Sequence, residues 1–278
     1  MYDAIGRRLR WRQPTPPDKR FVETERDPAI LRALHRHGPL PSTYLHAFAG
    51  GAKVNLQRRL SDLYDWGYIS RPPQYQASFH ARYSPLVYDL TEKGKDYLSE
   101  EFGEVCPYIK RSDPMIHRLF GACVSASLEL KYGKAFISAG EILTRAAEKG
   151  IAEPSLTVHL GNTKLIPDNL FALKTDDKLI YYAVEIDRNT ESIERTVRTT
   201  TTFTEKLEAY KQLLDDKLYK SHWAISNLHV LTVTTNAKHA ENLAARVENK
   251  DRFTFKVCEW FGPSWRVPPI LDLSPTDA

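Results

Sequence analysis

The spacing at which apolar residues recur changes partway along the chain, and this limits the fold more than any other feature. Between Asp27 and Leu98, leucines and aromatics return at intervals of three and four in short runs closed by glycine. From about Leu156 the apolar residues gather into strand-like runs separated by helical stretches. Such a switch predicts a small helical module followed by an α/β module. With 278 residues, 42% apolar and 27% charged, the chain can bury one large core or two modest ones, which excludes a disordered tail protein or a collagen-like fibre.

The most apolar stretch, LIYYAVEI at 179–186, is far shorter than the roughly 20 residues of a membrane helix, and no charged-then-apolar leader opens the sequence. A soluble, cytoplasmic protein with no membrane association is the expectation. Cys106, Cys123 and Cys258 are scattered and lack CxxC spacing, which fits neither a disulfide framework nor a cysteine zinc site. The formal net charge is +4, and residues 1–103 carry 16 Lys and Arg against 12 Asp and Glu, while the remainder is balanced. The N-terminal part is therefore the part expected to meet an acidic partner.

Residues 1–26 hold Arg7, Arg8, Arg10 and Arg12 around Trp11, then PTPP at 14–17, and read as a basic arm, either solvated or laid along phosphates. Asp27 is expected to cap a helix with Pro28 in its first turn and Ile30, Leu31 and Leu34 as its stripe, ending at Gly38. Ser42 is expected to cap a second helix, which Gly50 and Gly51 end. A third runs from about Ala52 to Trp66 on Leu56, Leu60 and Leu63, and Gly67 closes it. Three short helices with a glycine turn between the last two make a helix-turn-helix.

YIS at 68–70 and LVYDL at 86–90 alternate as a hairpin around a polar, turn-prone segment, after which TEKGKDYL resumes helical spacing. The stretch LSDLYDWGYISRP…YDLTEKGKDYL resembles winged helix-turn-helix domains. On the third helix Lys53, Asn55, Arg58 and Arg59 fall at or near the polar side, and Asn and Arg have the forked donors that match adenine and guanine edges. The wing adds Arg71, Gln74, Gln76, His80 and Arg82, suited to backbone or minor-groove contact. Double-stranded DNA is thus the expected partner; the alternative is a solvated helix face on a domain used for protein contacts. By analogy with other winged helices, a homodimer is the expected assembly.

A linker is expected at 104–114, then helices at about 115–132 and 138–150, and strands at 156–160, 164–173 and 179–187. A hairpin whose first strand begins IPD and whose second ends VEID brings Asp168 and Glu185 to one end of a sheet. Two converging carboxylates there suit a hard divalent cation such as Mg²⁺, which can activate water and stabilise phosphate charge. Thr202 and Glu205 have the spacing of a capping box opening a helix with Phe203, Leu207, Tyr210 and Leu214 facing a core. A strand at 228–235, a helix at 240–249 and a strand at 253–260 complete an αβββαβαβ order with a mixed sheet.

This order, with Pro167-Asp168 opening one strand and an acid in the next, resembles the PD-(D/E)XK restriction-endonuclease-like fold. Together with the preceding module, residues 27–260 resemble the replication-relaxation family of plasmids and other mobile elements, matched at Pro167-Asp168, at EIDRNT (185–190), and at Lys206 with Tyr210. The resemblance implies an α+β or α/β protein with an N-terminal winged helix-turn-helix at 27–103, a nuclease-like mixed-sheet domain at 115–262 and a tail at 263–278. It also implies a DNA-directed role, with Asp168 and Glu185 as metal ligands, Asp187 assisting or orienting water, and Lys206 stabilising charge. In the standard motif a lysine stands two residues after the second acid. Here that position is Asp187, and Lys206 on the following helix is the cation that would replace it.

Two readings follow, an Mg²⁺-dependent endonuclease that nicks or cleaves DNA, and a non-catalytic replication or transcription regulator that uses a degenerate nuclease fold for dimerisation. Glu129 reads as a further metal ligand or a surface charge, and Arg188 as a phosphate clamp or a partner of Asp187. His35 and His37, two apart on a helix, make a poor metal pair. HExxH, GxxxxGK[ST] and a post-strand GxGxxG are absent from the sequence.

Overall fold

The computed structural model describes residues 12–73, 85–103, 115–161, 163–176, 178–187, 203–247, 250–258 and 273. The protein is mixed α and β, and it divides into two compact units, one running to Leu130 and the other beginning at Lys131. Among the described residues no helix is long and apolar enough to cross a membrane.

The first unit contains α1 (Asp27–His37), β1 (Leu40–Pro41), α2 (Ser42–Ala49), α3 (Lys53–Asp65), β2 (Ile69–Ser70), β3 (Val87–Leu90), α4 (Glu92–Phe102) and most of α5 (Met115–Tyr132). The helical stripes close on one another, with Ile30, Leu31, Leu34, Tyr44, Leu45, Leu56, Leu60 and Leu63 all buried. β3 pairs antiparallel with β2, as the hairpin pattern predicts, and also with β1, which the sequence did not reveal because two residues carry no periodicity. Gly50 and Gly51 turn the chain between α2 and α3 at φ of 65° and 75°, a region that strains residues with a side chain. In YDLTEKG, the Thr91 hydroxyl accepts the Gly94 N–H at 3.1 Å and caps α4, while a Cβ on Gly94 would lie 2.3 Å from the Tyr68 carbonyl oxygen.

Four expectations are revised here. Asp27 and Ser42 are not caps: α1 and α2 begin at these residues, and neither cap position accepts a side-chain bond. Asp27 is instead fully buried, accepting the Thr24 N–H at 2.7 Å and Arg59 Nε at 2.7 Å. Residues 12–26 are not a free arm, because Arg12 reaches Asp65 at 2.5 Å and Ser61 at 2.7 Å, and Phe21 packs its ring 4.5 Å from Tyr68 and 5.3 Å from Trp66. Arg7, Arg8 and Arg10 lie outside the described residues. Finally, α5 up to Leu130 belongs with the first unit, not with the sheet unit expected to start at 115. Leu119, Ala122, Cys123 and Ala126 join the first core, and His37 of α1 meets Ser125 at 2.8 Å and Glu129 at 2.7 Å.

The second unit contains β4 (Phe136–Ile137), α6 (Ala139–Glu148), β5 (Val158–Leu160), β6 (Thr163–Leu165), β7 (Asn169–Lys174), β8 (Leu179–Asp187), α7 (Phe203–Asp215), α8 (Leu218–Trp223), β9 (His229–Thr234), α9 (Ala237–Ala244) and β10 (Phe253–Val257). Its five-stranded sheet runs β10-β9-β8-β7-β4, with β8, β9 and β10 parallel and β7 and β4 antiparallel to their neighbours. β8 is the central strand, buried from Tyr181 to Asp187 as a nearly continuous apolar run must be. The strand expected at 164–173 is two: β6 pairs with β5, and the chain breaks at Ile166-Pro167-Asp168 before β7 begins. Pro167 has no N–H to give a ladder, so the break falls where the sequence requires one. Ser138 and Glu141 form a reciprocal capping box that opens α6. The capping box expected at Thr202 lies outside the described residues.

Candidate functional site

The register of β7 on β8 pairs Asn169 with Val184, which sets Asp168 beside the end of β8 where Glu185, Ile186 and Asp187 follow. Asp168 Oδ2 accepts the Ile186 N–H at 2.6 Å, so the two strands are joined at this point by the aspartate itself. Glu185 and Asp187, two apart on a strand, point to the same face of the sheet. Side chains from α7 and α9 cover that face. Glu185 is 3% exposed and receives two donors from α7, Tyr210 Oη at 2.5 Å on Oε1 and Lys206 Nζ at 3.0 Å on Oε2. Lys206 and Tyr210 are four apart, so one helix face delivers both.

The electrostatics follow from burial. Removal from water and the nearby negative charge of Asp168 push the Glu185 carboxyl up to about 7, against the opposing pull of Lys206 and Tyr210. Burial and Glu185 push the Tyr210 phenol well above its ordinary range, so it remains a donor. Two carboxylates at one strand end offer oxygen ligands of the type a hard cation takes. Among the described residues no three His, Cys, Asp or Glu side chains cluster as a protein-only cage requires. Mg²⁺ asks for less, because it is commonly held by one or two carboxylates with water and substrate phosphate completing its shell.

Asp187, expected to assist or orient water, lies one step further along the strand and is 4% exposed, with Oδ2 2.8 Å from Nε2 of His239 at the start of α9. His239 had no signal in the sequence, because only the fold of α9 over the sheet brings it near. Thr232 and Thr234 stand opposite Glu185 and Asp187 on β9, and the alternation in TVTT was the available hint. Glu129, expected as a further metal ligand or a surface charge, is an ion-pair partner inside the first unit. It lies in the first unit between His37 at 2.7 Å and Arg36 at 2.5 Å, and although burial alone would raise its carboxyl, these two hold it below its ordinary range. Arg188 lies outside the described residues.

A second set of residues lies on α3. Lys53, Asn55 and Arg58 are exposed, as the leucine stripe predicts, and Gln57 and Val54 join them. Arg59 points inward: its guanidinium bonds Asp27 through Nε and Nη2 and the Val22 carbonyl at 2.7 Å. Arg71 is likewise buried, its guanidinium carbon 4.5 Å from the centre of the Tyr64 ring and 5.2 Å from that of Tyr88. Both were expected to face a duplex, and both instead hold the unit together. Gln74, Gln76, His80 and Arg82 lie outside the described residues.

A family model described as replication-relaxation matches residues 31–225. The chain belongs to the replication-relaxation family. No curated protein and no solved structure matches it. The replication-relaxation match takes in α3 and all of Asp168, Glu185, Asp187, Lys206 and Tyr210, and it ends before β9, so the His239 partner of Asp187 falls beyond it.

Proposed function

We propose that this replication-relaxation protein acts on the DNA of a plasmid or other mobile element, docking on a duplex through a winged helix-turn-helix and hydrolysing a phosphodiester at a nuclease-like site in its second unit. The observation that carries the reading is the meeting of Asp168, Glu185 and Lys206 at one end of β8. The docking half is supported by the order α1, β1, α2, α3, β2, β3, with β3 between β1 and β2 and an exposed, partly basic α3. A nuclease-like sheet is supported by the β7–β8 hairpin followed by a crossover helix to parallel β9.

Asp168 and Glu185 would hold Mg²⁺, whose chemistry when bound is to lower the pKa of water and to offset charge on phosphate. Lys206 offers its ammonium to negative charge developing beside Glu185 and takes the part of the lysine displaced from position 187. Tyr210 fixes the other Glu185 oxygen and so holds the carboxylate plane. Asp187 and His239 brace the strand end against α9.

The test is supercoiled plasmid incubated with the full chain and Mg²⁺ or Mn²⁺. Nicked or linear product is expected with metal and not with chelator, and Asp168→Ala should remove it while leaving duplex affinity unchanged. One observation favours the second reading, a regulator with a degenerate nuclease fold: both Glu185 oxygens already have protein donors. Tight, salt-sensitive binding to an inverted repeat with no product under either metal would select it.

A further inference from the structure

The outward face of α3 carries one apolar residue among polar ones. Val54 is 56% exposed at the second position of the helix. It shares its face with Arg58 one turn on, while exposed Lys53 and Asn55 adjoin it. The rotation of α3 is fixed by its buried stripe and by the bonds from Arg59 to Asp27, so these residues are held outward together. A single exposed valine is ordinary; its neighbours are what distinguish this one.

Charge also divides along the helix. Lys53 and Arg58 lie in the N-terminal half and Asp62 and Asp65 in the C-terminal half, where Asp65 is held by Arg12 and the Thr15 N–H. The first turn has no acidic residue and no side-chain cap, and it begins with a lysine. A cation at the positive end of the helix dipole is unfavourable in the isolated protein, and it is relieved by an external anion. Duplex phosphates supply that anion along the edge of the groove into which such a helix end would enter. Within the major groove, asparagine matches the adenine edge and arginine the guanine edge, and the apolar feature on offer is the C5 methyl of thymine.

We propose that Val54 reads a thymine methyl in the major groove, between the polar contacts of Asn55 and Arg58. This rests on the duplex-docking reading above and goes beyond it by naming the base and the atom. A duplex site is first recovered by selection from random sequence with the full chain. Each thymine of that site is then replaced in turn by deoxyuridine, which removes the methyl alone, and affinity is measured at fixed salt. One position is expected to weaken binding about fourfold, the worth of one buried methyl group. Val54→Ala should bind the thymine and deoxyuridine duplexes equally. Silence at every deoxyuridine, or a full methyl effect retained by Val54→Ala, overturns the proposal and leaves docking intact. Failure to bind any duplex overturns both, and a protein occupant of this face would produce that result.

Discussion

Lys206 Nζ on α7 lies 3.0 Å from Glu185 Oε2 at the end of β8, 21 positions away in the chain. On the proposed nuclease reading this ion pair supplies the cation absent at position 187, and it does so from a helix whose next turn supplies Tyr210 to the same carboxylate. Replacing Lys206 with Met should lower plasmid nicking by about 100-fold, the usual cost of one donor aimed at developing charge. The side chain is only partly buried, so circular dichroism should show an intact fold. Undiminished nicking by the variant would remove Lys206 from the chemistry.

The raised Glu185 carboxyl has a consequence for stability. In the unfolded chain the group ionises near 4.5, and in the folded protein near 7. The folded state thus holds the extra proton between these values, so the contribution to stability is complete below pH 4.5 and is lost as pH rises to about 7. Melting temperature measured from pH 4.5 to 8 should fall more steeply for the natural protein than for Glu185→Gln, which has no proton to lose. Parallel curves for the two would contradict the raised value.

Adjacent arginines on α3 should behave in opposite ways. Arg59 partners a fully buried Asp27, and its own side chain is 12% exposed, so Arg59→Ala leaves a buried carboxylate without its cation. Breaking a buried pair costs roughly 3–5 kcal/mol, and chemical denaturation should register a loss of that order. Arg58→Ala, at an exposed position, should change stability by less than about 0.5 kcal/mol and weaken duplex binding instead. Equal destabilisation by both variants would contradict the inward orientation of Arg59.

Gly94 should resist substitution. A methyl group there meets the Tyr68 carbonyl oxygen at 2.3 Å and Leu90 Cδ1 at 2.7 Å, and backbone cannot give way as a side-chain tip can. Gly94→Ala should cost about 1–3 kcal/mol through overpacking, despite the better helix propensity of alanine. A melting temperature equal to or above that of the natural protein would show that α4 can shift away from β2.

Helices α1 to α3 were legible because each carries an apolar stripe closed by glycine, and β8 was legible because LIYYAV runs without a polar residue up to Glu185. The nearness of Asp168 to Glu185 was also readable, since a hairpin fixes its own register. Short β1 and β4 were not, because two residues cannot establish a period, and their pairing comes from distant segments. Arg59 illustrates a different limit. Its neighbour Arg58 has the same chemistry, and one residue of helical rotation, about 100°, separates solvent from a buried aspartate.

What the sequence determined by itself was local: where helices and strands run, which face of each is apolar, and which two acids a hairpin must bring together. Tertiary structure alone decided how the charges are paired. Arg59 meets Asp27, Glu129 meets His37 and Arg36, Asp187 meets His239, and Lys206 meets Glu185, in each case across more than 20 residues of chain. Periodicity records only whether a side chain faces inward. The partner it finds there depends on which element covers that face, and packing sets that once the strands and helices have formed.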